Sequence, residues 1–509
     1  MESDRGYEIA EPRAAAMIES LRAVGYDLRT AIADLIDNSI FAGAKNVWVY
    51  FHWNGADSHI SIVDDGCGMS ESELFEAMRP GSKSPVEDRE PGDLGRFGLG
   101  MKTASFSQCR RLTVASRKDG ENTAIRRWDL DHVTKVDRWE LLKYAAQGSD
   151  QRITHFDGIK HGTIVLWECL DRVVGDAHVR DKTTHDRFFN LINSVEDYLA
   201  MVFHRFLGGT NPKLEIFING SDDSCRVKPW DPFLESHEAT IQFPEEPIHY
   251  GGKVIKVKGF VLPHKDKLGE ELHNYASGPA GWNAQQGFYV YRNQRLLVPG
   301  SWLGLGTNRP WTKEEHYKLA RIRIDIPNTA DMDWQIDVKK STARPPLAIR
   351  SRLKDIADAV RKQAREVFAH RGSYGPRPRK ETMMRAWYPV SKQGRLSYKI
   401  DRSHPLVKQL LSIDSRYKSM VEALLRVLEE TVPVQQIWLD TAEKPEAHSR
   451  PFEGVSKAEI TQVLRMTYTA LRQTEGLSPE AAKKRLSTME AFVDYPELIS
   501  ALDGVDHGV

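Results

Sequence analysis

The chain has 509 residues, 40% of them hydrophobic, and its 71 Lys plus Arg balance 71 Asp plus Glu to a formal net charge of zero. That length implies two to four domains with real cores, and the neutrality excludes a globally basic nucleic-acid coat, so any nucleic-acid surface must be a local patch. No apolar run approaches the roughly 18 residues of a membrane span, and the four cysteines (Cys67, Cys109, Cys169, Cys225) form no C-x-x-C pair, which argues against structural zinc and a disulfide scaffold. With no basic-then-apolar leader in MESDRGY, the expected setting is a reducing cytoplasm without a membrane partner.

Helical patterns are expected at 13–23 and 28–42. The second contains AIADLIDNSI (31–40), where Ile32, Leu35, Ile36 and Ile40 set an apolar stripe among Asp34, Asp37 and Asn38. Residues four apart project from one helix face, so Asp34 and Asn38 reach one site. A carboxylate there suits general base work on water, and an amide carbonyl suits Mg²⁺, which prefers oxygen ligands and keeps several waters. Taken alone, the same residues read more readily as a solvated acidic face ending near Gly43. Strands follow at 47–53 and 60–63, the latter ended by Asp64. Gly66 and Gly68 then allow close backbone approach or positive φ, although Asp-Gly is also a common strand-exit turn. Residues 79–92 are polar and rich in breakers, as in a mobile loop. Gly95, Gly98 and Gly100 free backbone N–H groups to face anions, a helix expected from about Leu99 adds its positive end, and Lys102 and Thr103 add a charge and a hydroxyl. The run is not a Walker A loop, since G-x-x-x-x-G-K-[ST] is absent. Strands at 111–116 and 163–168 and a closing helix at 186–207 complete a mixed α/β layer.

From residue 210 the pattern changes to alternating strands at 214–220, 252–262, 287–297 and 321–327, with a hairpin turn at Asn293-Gln294. WQIDVKKS (334–341) ends in Lys339 and Lys340 shortly before Pro345-Pro346; a point-charge lysine suits a phosphate contact that must form and break. A long helix is expected over 347–370, with apolar Ile349, Leu353, Ile356, Val360 and Val367 and basic Arg350, Arg352, Lys354, Arg361, Lys362 and Arg365. Its charge continues through the extended 371–380 segment. Such a run can track a phosphate backbone, or it can be a solvated helix face followed by a linker. Residues 404–509 read as a helical module with nothing catalytic in it.

Three boxes, AIADLIDNSI, IVDDGCGM (62–69) and GRFGLGMKT (95–103), in this order and spacing, resemble the GHKL ATPase superfamily of gyrase B, heat-shock chaperones, histidine kinases, MutL and MORC proteins. The resemblance covers about 28–345 and is specific for about 28–167. It implies an α+β chain: a GHKL α/β sandwich ATP-binding domain at 1–208, a transducer-like (ribosomal-protein-fold) domain at 209–346, a basic helix and linker at 347–380, and a helical C-terminal domain at 381–509. It implies ATP and Mg²⁺ as cofactors. Asp34 would be the base and Asn38 the Mg²⁺ ligand. Asp64 would accept the adenine amino group beside Gly66 and Gly68, with Met69 on the base. The phosphates would lie on Gly95, Arg96, Phe97, Gly98, Leu99, Gly100, Met101, Lys102 and Thr103, under a lid at 79–97. HGTIVLW (161–167) matches the strand start that completes the pocket, with Thr163 near the phosphates, and Lys339 or Lys340 would sense the γ-phosphate.

Many members carry Glu where this chain has Asp34, one methylene shorter; slow turnover and a nucleotide switch with little turnover both stay open. A histidine kinase needs a phospho-acceptor His before its ATP domain, and about thirty residues without His precede the first box. A topoisomerase would need a cleavage module and a chaperone a larger middle region. The MORC/MutL-like reading fits best: a slow ATPase acting as a homodimeric, nucleotide-gated clamp on DNA, sequence-tolerant in binding, with operon-encoded partners in bacterial antiphage defence or DNA restriction and repair. The alternative is an ATP-switched scaffold or chaperone-like protein without nucleic acid.

Overall fold

The computed structural model describes residues 12–23, 25–81, 100–156, 158–306, 308–330, 333–336, 342–369, 384–392, 395–412, 415–443 and 451–502. They fall into two compact units, Met1–Phe368 and Ala369–Val509.

The first unit begins with α1 (Ala14–Arg22) and α2 (Leu28–Phe41). The Asp27 side chain accepts the Thr30 N–H and so caps α2 at its start; Gly43, at φ +74°, follows its end. Strands β1 (Asn46–His52) and β2 (His59–Asp64) come next, then α3 (Glu71–Met78), whose Ser70 and Glu73 form a reciprocal capping box. The remaining elements are α4 (Gly100–Phe106), β3 (Arg111–Arg117), β4 (Ala124–Asp129), α5 (Leu130–Val136), β5 (Gly162–Glu168), α6 (Lys182–Val202), α7 (His204–Leu207) and β6 (Glu215–Ile218). They build a six-stranded sheet in the order β4-β3-β5-β2-β1-β6, antiparallel throughout except for the parallel β1–β6 pair. The apolar sides of α1, α2, α4 and α6 cover one face, where Ile32, Ile36, Val47, Val49, Phe106, Val114, Trp167 and Leu199 share one core. On the other face a smaller cluster of Val63, Ala115 and Ile164 lies under Phe156, from a short 3₁₀ stretch at Ser149–Phe156. Elements α3, β4 and α5 were not anticipated from sequence; the two helices span about two turns each, and β4 (AIRRWD) carries Arg126 and Arg127 at its centre, so none shows a clear apolar period.

The second sheet contains β7 (Ile241–Gln242), β8 (Glu246–Tyr250), β9 (Lys253–Val261), β10 (Gly287–Arg292), β11 (Arg295–Ser301) and β12 (Ala320–Ile326), with α8 (Glu270–Ser277) between β9 and β10. Its order is β11-β10-β12-β9-β7, with β8 also paired to β9. The β10–β11 hairpin turns at Asn293-Gln294, both left-handed at φ 47° and 70°, the backbone that a tight two-residue hairpin demands. Helix α9 (Leu347–Ala369) buries Leu353, Ala357, Val360 and Ala364 against Val257, Ile322 and Ile324 of this sheet. Phe260, Tyr289, Tyr291 and Leu296 belong to the core of the first sheet, so the two sheets share apolar packing.

The sequence reading set 347–380 apart as a basic segment. In α9 much of that charge is already engaged. Arg352 forms a bidentate pair with Glu246 at 2.6 and 2.7 Å. Lys354 faces Asp358 at 3.5 Å. Arg361 is buried among Trp302, Trp311 and Tyr317, its guanidinium 4.0–5.0 Å from their ring centres. Exposed Asp355 and Asp358 precede the exposed Lys362 and Arg365 along the helix. Residues 370–383 lie outside the described residues.

The second unit opens with a hairpin the sequence did not reveal, β13 (Trp387–Lys392) and β14 (Arg395–Ile400). Helices α10 (Pro405–Ser412), α11 (Ser415–Glu430), α12 (Val434–Glu443), α13 (Lys457–Glu475), α14 (Pro479–Leu486) and α15 (Pro496–Ser500) follow. Ile460, Leu464, Leu471, Leu486 and Phe492 form its core. Among the described residues no helix is long and apolar enough to cross a membrane.

Leu353 is fully buried in the second-sheet core. Leu353→Ala is expected to destabilise that core by about 2–5 kcal/mol, the usual cost of a buried Leu-to-Ala cavity. Urea unfolding followed by tryptophan fluorescence reads it, and an unchanged midpoint would detach α9 from the core.

Candidate functional site

Helix α2 is buried along nearly its whole length, Asp34, Asp37 and Ser39 included, while Asn38 reaches solvent. Buried polar groups must find partners, and these three do so in three directions. The Tyr26 hydroxyl donates to Asp34 Oδ2 at 2.8 Å. Helix α4 packs on α2, and a methyl group placed on Gly100 would lie 3.7 Å from Asp34 Oδ2. The end of the second glycine run therefore borders Asp34, with Asn38 one turn further along the helix. Asp37 points instead to Arg295 of the second sheet, with Nε 3.3 Å from Oδ1 and both side chains 1% exposed.

The third partner is Asp64. It ends β2 directly opposite Thr163 of β5. Its Oδ2 accepts the Ser39 hydroxyl at 3.0 Å and its Oδ1 the Gly66 N–H at 2.9 Å, and the Thr163 N–H also donates to it. Burial pushes the carboxyl up to about 6, against the opposing pull of the Gly66 and Ser39 hydrogen bonds. After Asp64 the chain turns through Gly68 at φ +66°, where any Cβ would lie 1.9 Å from the Arg117 carbonyl oxygen; only glycine fits. His161 Nδ1 lies 2.7 Å from the Gly66 carbonyl oxygen and steadies the turn. The Met69 N–H donates to Ser116 Oγ at 2.8 Å, and that hydroxyl lies 2.9 Å from Thr163 Oγ1. Asp64, Gly66, Gly68, Met69 and Thr163 thus gather at one end of β2, β5 and β3. Ser39, Ser116 and His161 were missed by sequence reading. Ser39 gave one signal, a hydroxyl at helical spacing from the apolar Ile32, Leu35 and Ile36.

Of the residues expected to cradle phosphates, Gly100, Met101, Lys102 and Thr103 form the start of α4. Lys102 is buried, and its ammonium donates to the Ala77 and Arg79 carbonyl oxygens at 2.8 and 3.0 Å. It was expected to bring charge to phosphates; here it serves the C-terminal end of α3, where the helix dipole favours a cation. Burial lowers its ammonium to about 8. Thr103 Oγ1 turns back to the Gly100 carbonyl oxygen at 3.3 Å. Gly95, Arg96, Phe97, Gly98 and Leu99, most of the expected lid, and Lys339 and Lys340 lie outside the described residues. Among the described residues no group of three His, Cys, Asp or Glu side chains forms a metal cluster. The exposed Asn38 amide beside Asp34 fits a Mg²⁺ that keeps water and phosphate oxygens as its other ligands.

Residues 26–163 match the family described as histidine kinase-, DNA gyrase B-, and HSP90-like ATPase. ATPase morc-1 of Caenorhabditis elegans is 31% identical over 96 residues, 19% of this chain and 11% of the relative. DNA mismatch repair protein MutL of Paramagnetospirillum magneticum is 33% identical over 102 residues, 20% of this chain and 16% of the relative. MutL of Clostridium perfringens is 36% identical over 130 residues, 22% of this chain and 19% of the relative. The matches thus span a fifth or less of these relatives' own lengths.

Removing the Ser39 hydroxyl takes away a hydrogen bond to the ionised form of Asp64. Ser39→Ala is therefore expected to raise the Asp64 carboxyl above its value of about 6. Carboxyl-resolved NMR titration checks this, and an unmoved titration would show that the bond does not hold the charge.

Proposed function

We propose, from the premise that the chain carries an ATPase domain of the GHKL superfamily at residues 26–163, that this protein binds Mg²⁺–ATP and hydrolyses it slowly to ADP and phosphate. The observation that carries the reading is the attachment of two unlike carboxylates to one helix. Asp64 is fixed to α2 through Ser39, and Asp34 stands on α2 beside the first turn of α4. Ionised Asp64 is an acceptor only, which suits the adenine amino donor and rejects a carbonyl at that position. Gly66 and Gly68 keep the approach open, and Met69 lies beside it. Asp34, oriented by Tyr26, takes the proton of a water as that water attacks the γ-phosphorus and the bond to ADP breaks. Asn38 would hold Mg²⁺, which neutralises phosphate charge. The backbone N–H groups of the Gly95–Thr103 run are assigned to the phosphates, with the Lys102 ammonium left on the Ala77 and Arg79 carbonyl oxygens, and Lys339 or Lys340 to sensing the γ-phosphate.

Asp64→Asn is expected to weaken ATP binding by about 1.5–3 kcal/mol, the worth of a hydrogen bond to a charged group, roughly ten- to a hundredfold in Kd. Asp34→Ala is expected to keep ATP affinity and lose phosphate release. The pH dependence has a definite sign. Below about 6 Asp64 holds its proton, so parent affinity falls from neutral toward acid pH. Asp64→Asn lacks that component, and the protonation of ATP itself is common to both proteins. Calorimetry and phosphate release read these outcomes; unchanged affinity in Asp64→Asn would sink the adenine assignment.

The finer reading is a homodimeric clamp that closes on DNA when ATP binds, in antiphage defence, restriction or repair. It draws on the relatives, one group of which is named for DNA mismatch repair. A second reading, an ATP-switched protein scaffold, is favoured by the commitment of Arg352, Lys354 and Arg361 within α9. The clamp predicts dimers with a non-hydrolysable ATP analogue and a salt-sensitive gel shift of duplex DNA that is stronger with the analogue than with ADP. Analogue-driven dimers without any shift at low salt would leave the scaffold.

A further inference from the structure

We infer that Arg295 is a positioning residue: it joins the β10–β11 hairpin of the second sheet to α2, and so sets the placement of Asp34 and Asn38 from outside the ATPase domain. The link to turnover rests on the hydrolysis proposed above; the link to α2 does not.

Arg295 opens β11 directly after the Asn293-Gln294 turn. Its guanidinium is wholly enclosed. Nε meets Asp37 Oδ1 at 3.3 Å, Nη1 donates to the Leu296 carbonyl oxygen, and the group sits 5.3 Å from the Phe203 ring centre. Tyr198 of α6 is a further hydrogen-bond partner. Burial opposes the charge, yet Asp37 and the nearby Tyr198 and Asp34 keep the guanidinium protonated. Asp37 lies between Asp34 and Asn38 in the chain, so a displacement of the hairpin pulls on the turn of α2 that carries both.

Stability alone does not call for ions here. A buried pair loses two hydration shells, and apolar side chains of similar size often stabilise as well or better. What the pair adds is direction, since a guanidinium and a carboxylate enclosed without water hold one relative orientation. Other contacts keep the two sheets together: His204 Nε2 lies 2.8 Å from the Tyr291 hydroxyl, and Arg205 pairs with Asp325 while stacking 3.6 Å from the Tyr291 ring centre. These tie α7 to the second sheet, whereas Arg295 ties α2. Coupling of this kind is reciprocal: a ligand that moves α2 moves the hairpin, and a change in the hairpin alters the site.

The test compares the parent with Arg295→Lys and with the double variant Arg295→Met/Asp37→Leu, which removes both charges of the pair together. Amide hydrogen exchange over residues 28–41 is measured without nucleotide, alongside the melting midpoint, kcat and KM for ATP. The expected result for the double variant is a midpoint near the parent's, faster exchange in α2, and kcat reduced by roughly tenfold or more with KM little changed, as misplacement of a reacting group produces. Arg295→Lys, which keeps the charge, should recover part of both. Parental exchange in α2, or parental kcat in the double variant of an active parent, overturns the inference. A parent that releases no phosphate would defeat the proposed hydrolysis, and α2 exchange would then decide the role of Arg295 by itself.

Discussion

The structure of the first unit hangs on the burial of α2 together with its polar side chains. A helix packed on nearly all sides must satisfy each of those groups from a neighbouring element. Asp34 takes Tyr26 at the head of the helix, Ser39 takes Asp64 at the end of β2, and Asp37 takes Arg295 of the second sheet. Each bond fixes one direction of the helix. Together they determine where the helix stands over the sheet, and the site follows from that placement.

Two carboxylates attached to one helix then acquire different chemistry from their surroundings. Asp64 is enclosed at the strand end, accepts several donors, and titrates near 6. Asp34 lies under the first turn of α4 with a tyrosine hydroxyl on one oxygen. In the proposed function these unlike surroundings would give the adenine contact to Asp64 and the work on water to Asp34. Register makes the arrangement rigid: Asp64 faces Thr163, and Ser116, the next strand over, bridges Thr163 to the Met69 backbone.

The second sheet is part of the same packing. Tyr289, Tyr291 and Leu296 enter the core beneath the first sheet, and α9 closes the far side with Leu353, Val360 and Val367. Charges that looked like a free basic stripe are used in holding α9, above all Arg361 among its aromatic rings. The same economy governs Lys102, whose ammonium ends α3.

Sequence alone determined what depends on neighbours a few residues away. The periodicity of 28–41, the strand runs ending at Asp64 and starting at Thr163, the glycines at 66 and 68 and the turn at Asn293-Gln294 were all legible, because helix faces, strand alternation and positive φ are local properties. The two-turn helices α3 and α5 were not, having too few residues to show a period, and neither was β4, whose centre is two arginines. Partner choice belonged to the tertiary structure. Nothing near Asp37 in the chain names Arg295, 258 residues away, and nothing near Lys102 shows that its charge will meet carbonyls at the end of α3. A charged side chain's periodicity gives its face, but only the packing of distant segments decides what lies opposite, and whether water is excluded there so that the contact becomes fixed.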